Sequence, residues 1–291
     1  MTENKASNTI HPPSGLASGT ASEPASAPAS AYLAQGGVIF LSTGLTRGPW
    51  NPVHQHAGPP IALVCRAIEM AAAEHGLTHI ARLTANLLRP VPIAELTVTV
   101  VADYVGKTAG HFSASLLHAG KELARFTALA QREVDQNLPT GLPGHRQPAA
   151  APAASTPAQF PFADGKPGYA ELVEIREARG KNFQGPCTVW FRLKHPLLQG
   201  EPTSPYQRVA VAADSGNGIS AVLDYRRGDV FVNSDLTINL LRRPVGEWIC
   251  LESQTWLGAS GSGLAESILF DELGLIGRAT QSLSVRVALR P

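Results

Sequence analysis

The sequence contains few cysteines, almost no net charge and no long apolar run. Its three cysteines, Cys65, Cys187 and Cys250, lie far apart without metal-ligand spacing. They indicate reduced, buried thiols and exclude a disulfide framework or a zinc site. A formal net charge of +1 without a dense Lys/Arg run argues against a nucleic-acid or anionic-membrane partner. No segment reaches the roughly 18 apolar residues that a membrane-spanning helix needs, so we expect a cytoplasmic protein with no membrane partner and no metal.

The chain does contain enough apolar sequence for a folded core, interrupted by two low-complexity segments. Hydrophobic residues make up 44% of its 291 residues, which is typical of globular proteins. Residues 1–32 are rich in Ala, Ser and Pro and predict a disordered tail. A second Pro/Ala-rich segment, 137–165, predicts a linker, because dense proline excludes a helix or a central strand. Two units, 33–136 and 166–290, remain.

Both units show the same order of elements, one helix followed by antiparallel strands. In the first unit, residues 58–76 carry an apolar stripe at helical spacing, and four strands are predicted at 79–88, 95–106, 111–120 and 122–132. In the second, a helix at 204–218 precedes strands at 233–241, 247–258, 263–274 and 276–289. We expect the two sheets to join edge to edge, because one unit alone makes a small core and leaves sheet edges exposed.

A repeated phrase supports duplication of one unit. Thr84 and the NLLR string that ends at Arg89 recur as Thr237 and the NLLR string that ends at Arg242. The repeat therefore predicts that these are equivalent strands of two related units.

This arrangement resembles the double hotdog fold, an α+β architecture in which two tandem units each wrap a curled antiparallel sheet around a long helix. The sequence resembles the acyl-CoA thioesterase II-like (TesB-like) family over about residues 36–133 and 169–290. The segments that carry this resemblance are 56–69, 86–92, 204–220, 231–248 and 263–286. The resemblance implies an acyl-CoA thioesterase, a hydrolase of lipid metabolism that takes an acyl-CoA as substrate and needs no cofactor.

The resemblance also implies a catalytic set in the second unit. It places an acid at Asp214, at the end of the helix, and an amide at Gln281, on the last strand. The family's hydroxyl falls on Ser234 or on Thr237. These positions are an odd number of residues apart on a strand, so only one side chain can point inward; counting back from the Arg–Pro pair at Arg243 favours Ser234. The first unit has neither acid nor amide at the equivalent positions, so we expect one active site per chain.

Each candidate has a chemical role and a structural alternative. A carboxylate at Asp214 can take a proton from water, while hydroxyl and amide groups aim that water. Asp214 could instead cap the SGNG turn that follows it, and Gln281 could be an outward polar residue of an alternating strand.

Substrate contacts are expected at the start of the first helix, at Gly58 and Pro59, where backbone N–H groups can meet an oxyanion. Arg89 and Arg243 could meet the phosphates of CoA, although surface or sheet-edge arginines are the commoner case.

Two other functions stay open. Asn51, Pro52 and His54 match the motif of hotdog enoyl-CoA hydratases, but the acid of that motif falls on Pro49. His54 and its neighbour His56 could equally be loop histidines near the mouth of a pocket. The protein could also bind an acyl-CoA without turnover. The covered sheet edges favour a homo-oligomer.

Overall fold

The computed structural model describes residues 29–140 and 146–288. Most of the predicted tail, 1–32, lies outside the described residues. Its end does not, and residues 30–32 are buried. The Tyr32 N–H donates to the Leu197 carbonyl at 2.9 Å, so these residues pack against the second unit.

The described residues form fourteen strands and four α-helices, besides three short 3₁₀ turns. Those before the Pro/Ala-rich segment are β1 Tyr32–Gly36, β2 Ile39–Ser42, α1 Gly58–Ala73, β3 His79–Leu87, β4 Glu95–Val105, β5 Ala109–His118 and β6 Lys121–Gln131. The others are β7 Thr156–Ala158, α2 Tyr169–Leu172, β8 Val173–Arg179, β9 Cys187–Leu193, α3 Pro205–Ala213, α4 Gly216–Ile219, β10 Val230–Asn233, β11 Asp235–Leu240, β12 Ile249–Leu257, β13 Ser262–Asp271 and β14 Gly274–Arg286.

The strands belong to one antiparallel sheet, in which β3 of the first unit pairs with β11 of the second. The repeated phrases meet at this junction. Thr84 is the register partner of Thr237, its own counterpart in the other copy. Equivalent positions can pair antiparallel only about a local two-fold axis, so the two units are related by such an axis. The predicted edge-to-edge joining is confirmed, and the architecture is a double hotdog.

The two longer helices, α1 and α3, pack against each other and against the sheet, α1 on β4 and β5 and α3 on β12. Gly58 allows their close approach, because a Cβ there would lie 2.5 Å from the Val211 carbonyl oxygen of α3. The predicted first helix is confirmed, although it ends at Ala73. The predicted second helix, 204–218, is divided into α3 and α4. Asp214 and Ser215 lie at the break.

The sheet extends beyond the predicted strands at both edges. Strands β1, β2, β8 and β9 were not predicted, and β7 lies within the segment predicted as a linker. Pro157 of β7 pairs with Arg176 of β8 at the sheet edge, where a missing N–H is tolerated. Phe160, in the same segment, is buried in the core. The cysteines are free and buried, as predicted. None of the described helices has the length and apolar character to span a bilayer.

Candidate active site

A cavity of about 360 Å³ opens where the two units meet. The first unit supplies the loop before α1 and the end of β3, and the second supplies the α3–α4 break and the β10–β11 bend. Phe160 and Phe162, from the predicted linker, also line it. One cavity is therefore built from both units and from the segment that connects them.

The carboxylate of Asp214 lies on the wall of this cavity. Its Oδ1 accepts a hydrogen bond from Asn233 Nδ2 at 2.9 Å and lies 3.4 Å from Gln281 Nε2. The side chain is only 4% exposed. These partners come from β10 and β14, not from the SGNG turn that Asp214 was alternatively expected to cap. The structure thus brings the predicted acid and amide together.

The orientation of the Gln281 amide is fixed by its second partner. Its Oε1 accepts the Asn217 backbone N–H at 2.9 Å, so its Nε2 must face Asp214, where it also donates to the backbone carbonyl at 3.1 Å. Gly216 leaves room for this arrangement, because a Cβ there would lie 3.3 Å from Gln281 Oε1 and 2.5 Å from Ser267 Oγ. Gln281 is buried and is not the outward strand residue of the alternative interpretation.

His56, which was not among the predicted catalytic residues, contributes from the first unit. Its Nδ1 lies 2.9 Å from Asp214 Oδ2, and its side chain is 13% exposed. The ring stacks on Tyr169 with 3.6 Å between the ring centroids and 3° between the planes. The Tyr169 hydroxyl donates to the Val211 carbonyl and bonds Ser215 Oγ. Burial raises the pKa of Tyr169, so this supporting ring stays neutral.

Nδ1 of His56 also accepts a hydrogen bond from the Gly58 N–H at 3.1 Å. A ring nitrogen has one in-plane site, so its contacts with Gly58 and Asp214 are alternatives. When Nδ1 carries a proton, it donates to Asp214 Oδ2, and the Gly58 N–H becomes available to a ligand. Within the described residues, Nε2 has no hydrogen-bond partner. Pro59 has no N–H, so it offers no donor in this turn of α1.

The two candidate hydroxyls lie in different places. Ser234 forms the bend between β10 and β11, is exposed and lines the cavity. Thr237 lies on β11 at the junction of the units, where its Oγ1 lies 3.2 Å from Thr84 Oγ1, and it is not among the cavity-lining residues. The side chain that meets Asp214 belongs to Asn233. In the sequence, the polar run Asn233–Asp235 interrupts an apolar strand pattern, and this interruption was the signal that could have identified Asn233 as a site residue.

The two candidate arginines also differ in position. Arg89 is exposed at the cavity wall, where its Nη1 donates to the Glu122 carbonyl at 2.6 Å. Arg243 lies over the ring of Tyr206, 5.9 Å from its centroid, and does not line the cavity. No cluster of three or more His, Cys, Asp or Glu side chains that could hold a metal ion is present among the described residues.

Comparison with known proteins identifies matches over both units. Residues 46–131 match the family model described as acyl-CoA thioesterase N-terminal domain, and residues 147–285 match the acyl-CoA thioesterase C-terminal domain. No curated protein matches the sequence.

Solved structures with low sequence identity share the fold. A protein of unknown function with a hot dog fold from Alicyclobacillus acidocaldarius has a TM-score of 0.68 and 17% identity, covering 90% of this chain and 97% of that chain. The tesB protein of Mycobacterium avium subspecies paratuberculosis has a TM-score of 0.62 and 16% identity, covering 88% and 96%. Acyl-CoA thioesterase II TesB2 of Mycobacterium marinum has a TM-score of 0.60 and 17% identity, covering 87% and 94%.

Proposed function

Because this chain belongs to the acyl-CoA thioesterase family, we propose that it hydrolyses an acyl-CoA to the free acid and CoA, with water as the nucleophile. The observation that carries the proposal is the Asp214 carboxylate on the cavity wall. One of its oxygens is held by two amides and the other faces the imidazole of His56. An acid–base pair beside a substrate-sized cavity is what activation of water requires.

In this mechanism, His56 Nε2 takes the proton from the attacking water while Nδ1–H donates to Asp214. Two features support this division of roles. Both carboxylate oxygens of Asp214 already have partners. The imidazole of His56 is more exposed than this carboxylate, and its Nε2 has no hydrogen-bond partner within the described residues. An ionised carboxylate at Nδ1 also stabilises the imidazolium that forms.

The bonds then change in two steps. The water oxygen bonds to the thioester carbonyl carbon and forms a tetrahedral oxyanion. Collapse of this intermediate breaks the C–S bond, and the departing CoA sulfur takes the proton from the His56 imidazolium. The Gly58 N–H, released when Nδ1 is protonated, donates to the oxyanion.

The remaining groups position these partners. Gln281 and Asn233 hold the carboxylate of Asp214, and the hydroxyl of Ser234, exposed in the cavity, binds the attacking water. Arg89 meets a phosphate of CoA at the cavity wall, where an exposed guanidinium suits a solvated anion.

A second candidate function is hydration of an enoyl-CoA. The His56–Asp214 pair favours it, because addition of water to a double bond also needs a paired acid and base. His54 lines the same cavity, but Pro49 still occupies the acid position of the hydratase motif.

One experiment separates these functions from simple binding. Purified protein is incubated with a panel of acyl-CoAs and with an enoyl-CoA, while free thiol and enoyl absorbance are followed together. The proposal predicts thiol release that is lost in Asp214→Asn and retained in Asp135→Asn, an exposed control. Loss of enoyl absorbance without thiol would establish the hydratase instead, and tight binding without either signal would establish a non-catalytic protein.

A further inference from the structure

Six aromatic rings form a continuous arc at the cavity. In order of contact they are Phe160, Phe162, Phe183, Tyr225, Trp50 and Phe231. Neighbouring ring centroids are 4.9 to 6.0 Å apart, and all six except Tyr225 line the cavity. The chain has only four Trp, five Tyr and nine Phe, so a third of its aromatic residues gather at this place.

The arc is assembled at a conformational cost. Phe183 has a left-handed backbone with φ of +61°, which is uncommon for a bulky residue and typical of functional sites. Its N–H donates to the Ile219 carbonyl at 2.7 Å, which holds the ring over the cavity. Trp50 is 50% exposed, so an apolar ligand in the cavity would cover a large ring that is otherwise half in water.

The acyl group has little space between the long helices and the sheet. The region between the long helices and the sheet, where an extended chain could run, is filled by core side chains. Cys65 of α1, Val209 of α3 and Ile238 of β11 surround a void of about 10 Å³ there, about the least volume that holds one water molecule. A long alkyl group would therefore not run between the helices and the sheet, and it would have to occupy the ring-lined cavity, the second cavity of about 490 Å³ beside Phe183 and Tyr225, or solvent.

Resting on the proposed function, we propose that the preferred substrate is a thioester whose acyl group is compact, uncharged and aromatic. Aromatic rings favour edge-to-face and offset contacts with other rings beyond what apolar area alone provides. The arc presents ring faces and edges from both units and carries no charged side chain. It therefore distinguishes an aryl group from an alkyl group of the same carbon number.

The test compares phenylacetyl-CoA with octanoyl-CoA, which have the same number of acyl carbons, and with palmitoyl-CoA. We expect kcat/KM for phenylacetyl-CoA to exceed that for octanoyl-CoA by about tenfold, the size of one good ring–ring contact. Trp50→Leu and Phe162→Leu should lower kcat/KM for phenylacetyl-CoA by a larger factor than for octanoyl-CoA, and so remove most of this preference. Trp256→Leu, the same substitution at an exposed ring on β12, should keep the preference; thermal melts verify that each variant is folded.

Each other outcome overturns a distinct claim. Faster turnover of octanoyl- or palmitoyl-CoA, with Trp50→Leu affecting all substrates equally, would overturn the aromatic preference and leave the thioesterase intact. If no substrate releases thiol, the proposed function fails. The aromatic preference is then tested by calorimetry, which measures the Kd of phenylacetyl-CoA and of octanoyl-CoA. Tighter binding of phenylacetyl-CoA would support the preference, and equal or reversed affinities would overturn it.

Discussion

The Nδ1 atom of His56 lies 2.9 Å from the Oδ2 atom of Asp214, and this contact joins the two halves of the duplicated fold. His56 precedes the first long helix, whereas Asp214 follows the second. Neither unit alone contains both groups. The candidate site therefore lies where the two similar units differ.

The structure predicts which of the two candidate hydroxyls matters for turnover. Ser234→Ala should lower kcat/KM for acyl-CoA hydrolysis by about fivefold, because a hydrogen bond to the aimed water contributes about 1 kcal/mol. Thr237→Val should stay within about twofold of the parent protein, because Thr237 Oγ1 meets Thr84 at the unit junction. The opposite ranking in steady-state thiol-release assays would assign the hydroxyl to Thr237.

A pair of glycine substitutions tests the packing beneath Gln281. Gly216→Ala should lower the free energy of unfolding by about 1–3 kcal/mol, because its Cβ would lie 2.5 Å from Ser267 Oγ. Gly218→Ala, in the same short helix, places its Cβ 3.4 Å from the Phe183 ring, which is an ordinary contact. The free energy of unfolding of this variant should therefore stay within about 0.5 kcal/mol of the parent value. Urea unfolding of both variants measures the difference, and equal destabilisation would contradict it.

Glu69 of α1 gives a prediction about pH and stability. Burial is the main cause that raises its pKa, against hydrogen bonds donated by Ser204 and Gln207. A carboxyl with a raised folded pKa contributes its full stability below the unfolded pKa of about 4.3, and this contribution declines as pH rises through the folded value. The difference in unfolding free energy, Glu69→Gln minus parent, should therefore become more positive between pH 4 and pH 7.

The control for this titration is Glu74→Gln, at the exposed C-terminal end of the same helix. Chemical denaturation of both variants and the parent at each pH provides the values. A Glu69→Gln difference that is constant with pH, or that falls as pH rises, would contradict the assignment.

Local patterns were sufficient to predict the repeated core of the fold. The spacing of Ile61, Val64 and Ile68 marks α1, and all three are buried. The repeated phrase marks the strands at Thr84 and Thr237 as equivalent, whereas their pairing with each other is known from the structure. The predicted helix, 204–218, ran through the break between α3 and α4, although the polar, glycine-containing SGNG string after Asp214 was a turn signal there. The structure packs Gly216 against Ser267 of β13 and Gln281 of β14 at this turn.

The site was only partly predictable for a similar reason. Asp214 and Gln281 could be identified by family resemblance, since each lies in a recognisable segment. The contact of His56 with Asp214 could not, because it depends on how two distant segments meet. Phe160 and Phe162 were missed because they lie in a proline-rich segment. Its composition indicates how stiff the chain is locally, but it does not indicate which residues these rings contact.

The central claim, that His56 and Asp214 act together to hydrolyse a thioester, is tested most directly by measuring thiol release in His56→Gln, Asp214→Asn and the double variant. We expect each single substitution to lower kcat by about 10²–10⁴, and the double variant to be no slower than the slower single one, because paired groups are non-additive. Parent-like turnover in Asp214→Asn, or single effects that multiply in the double variant, would contradict the account.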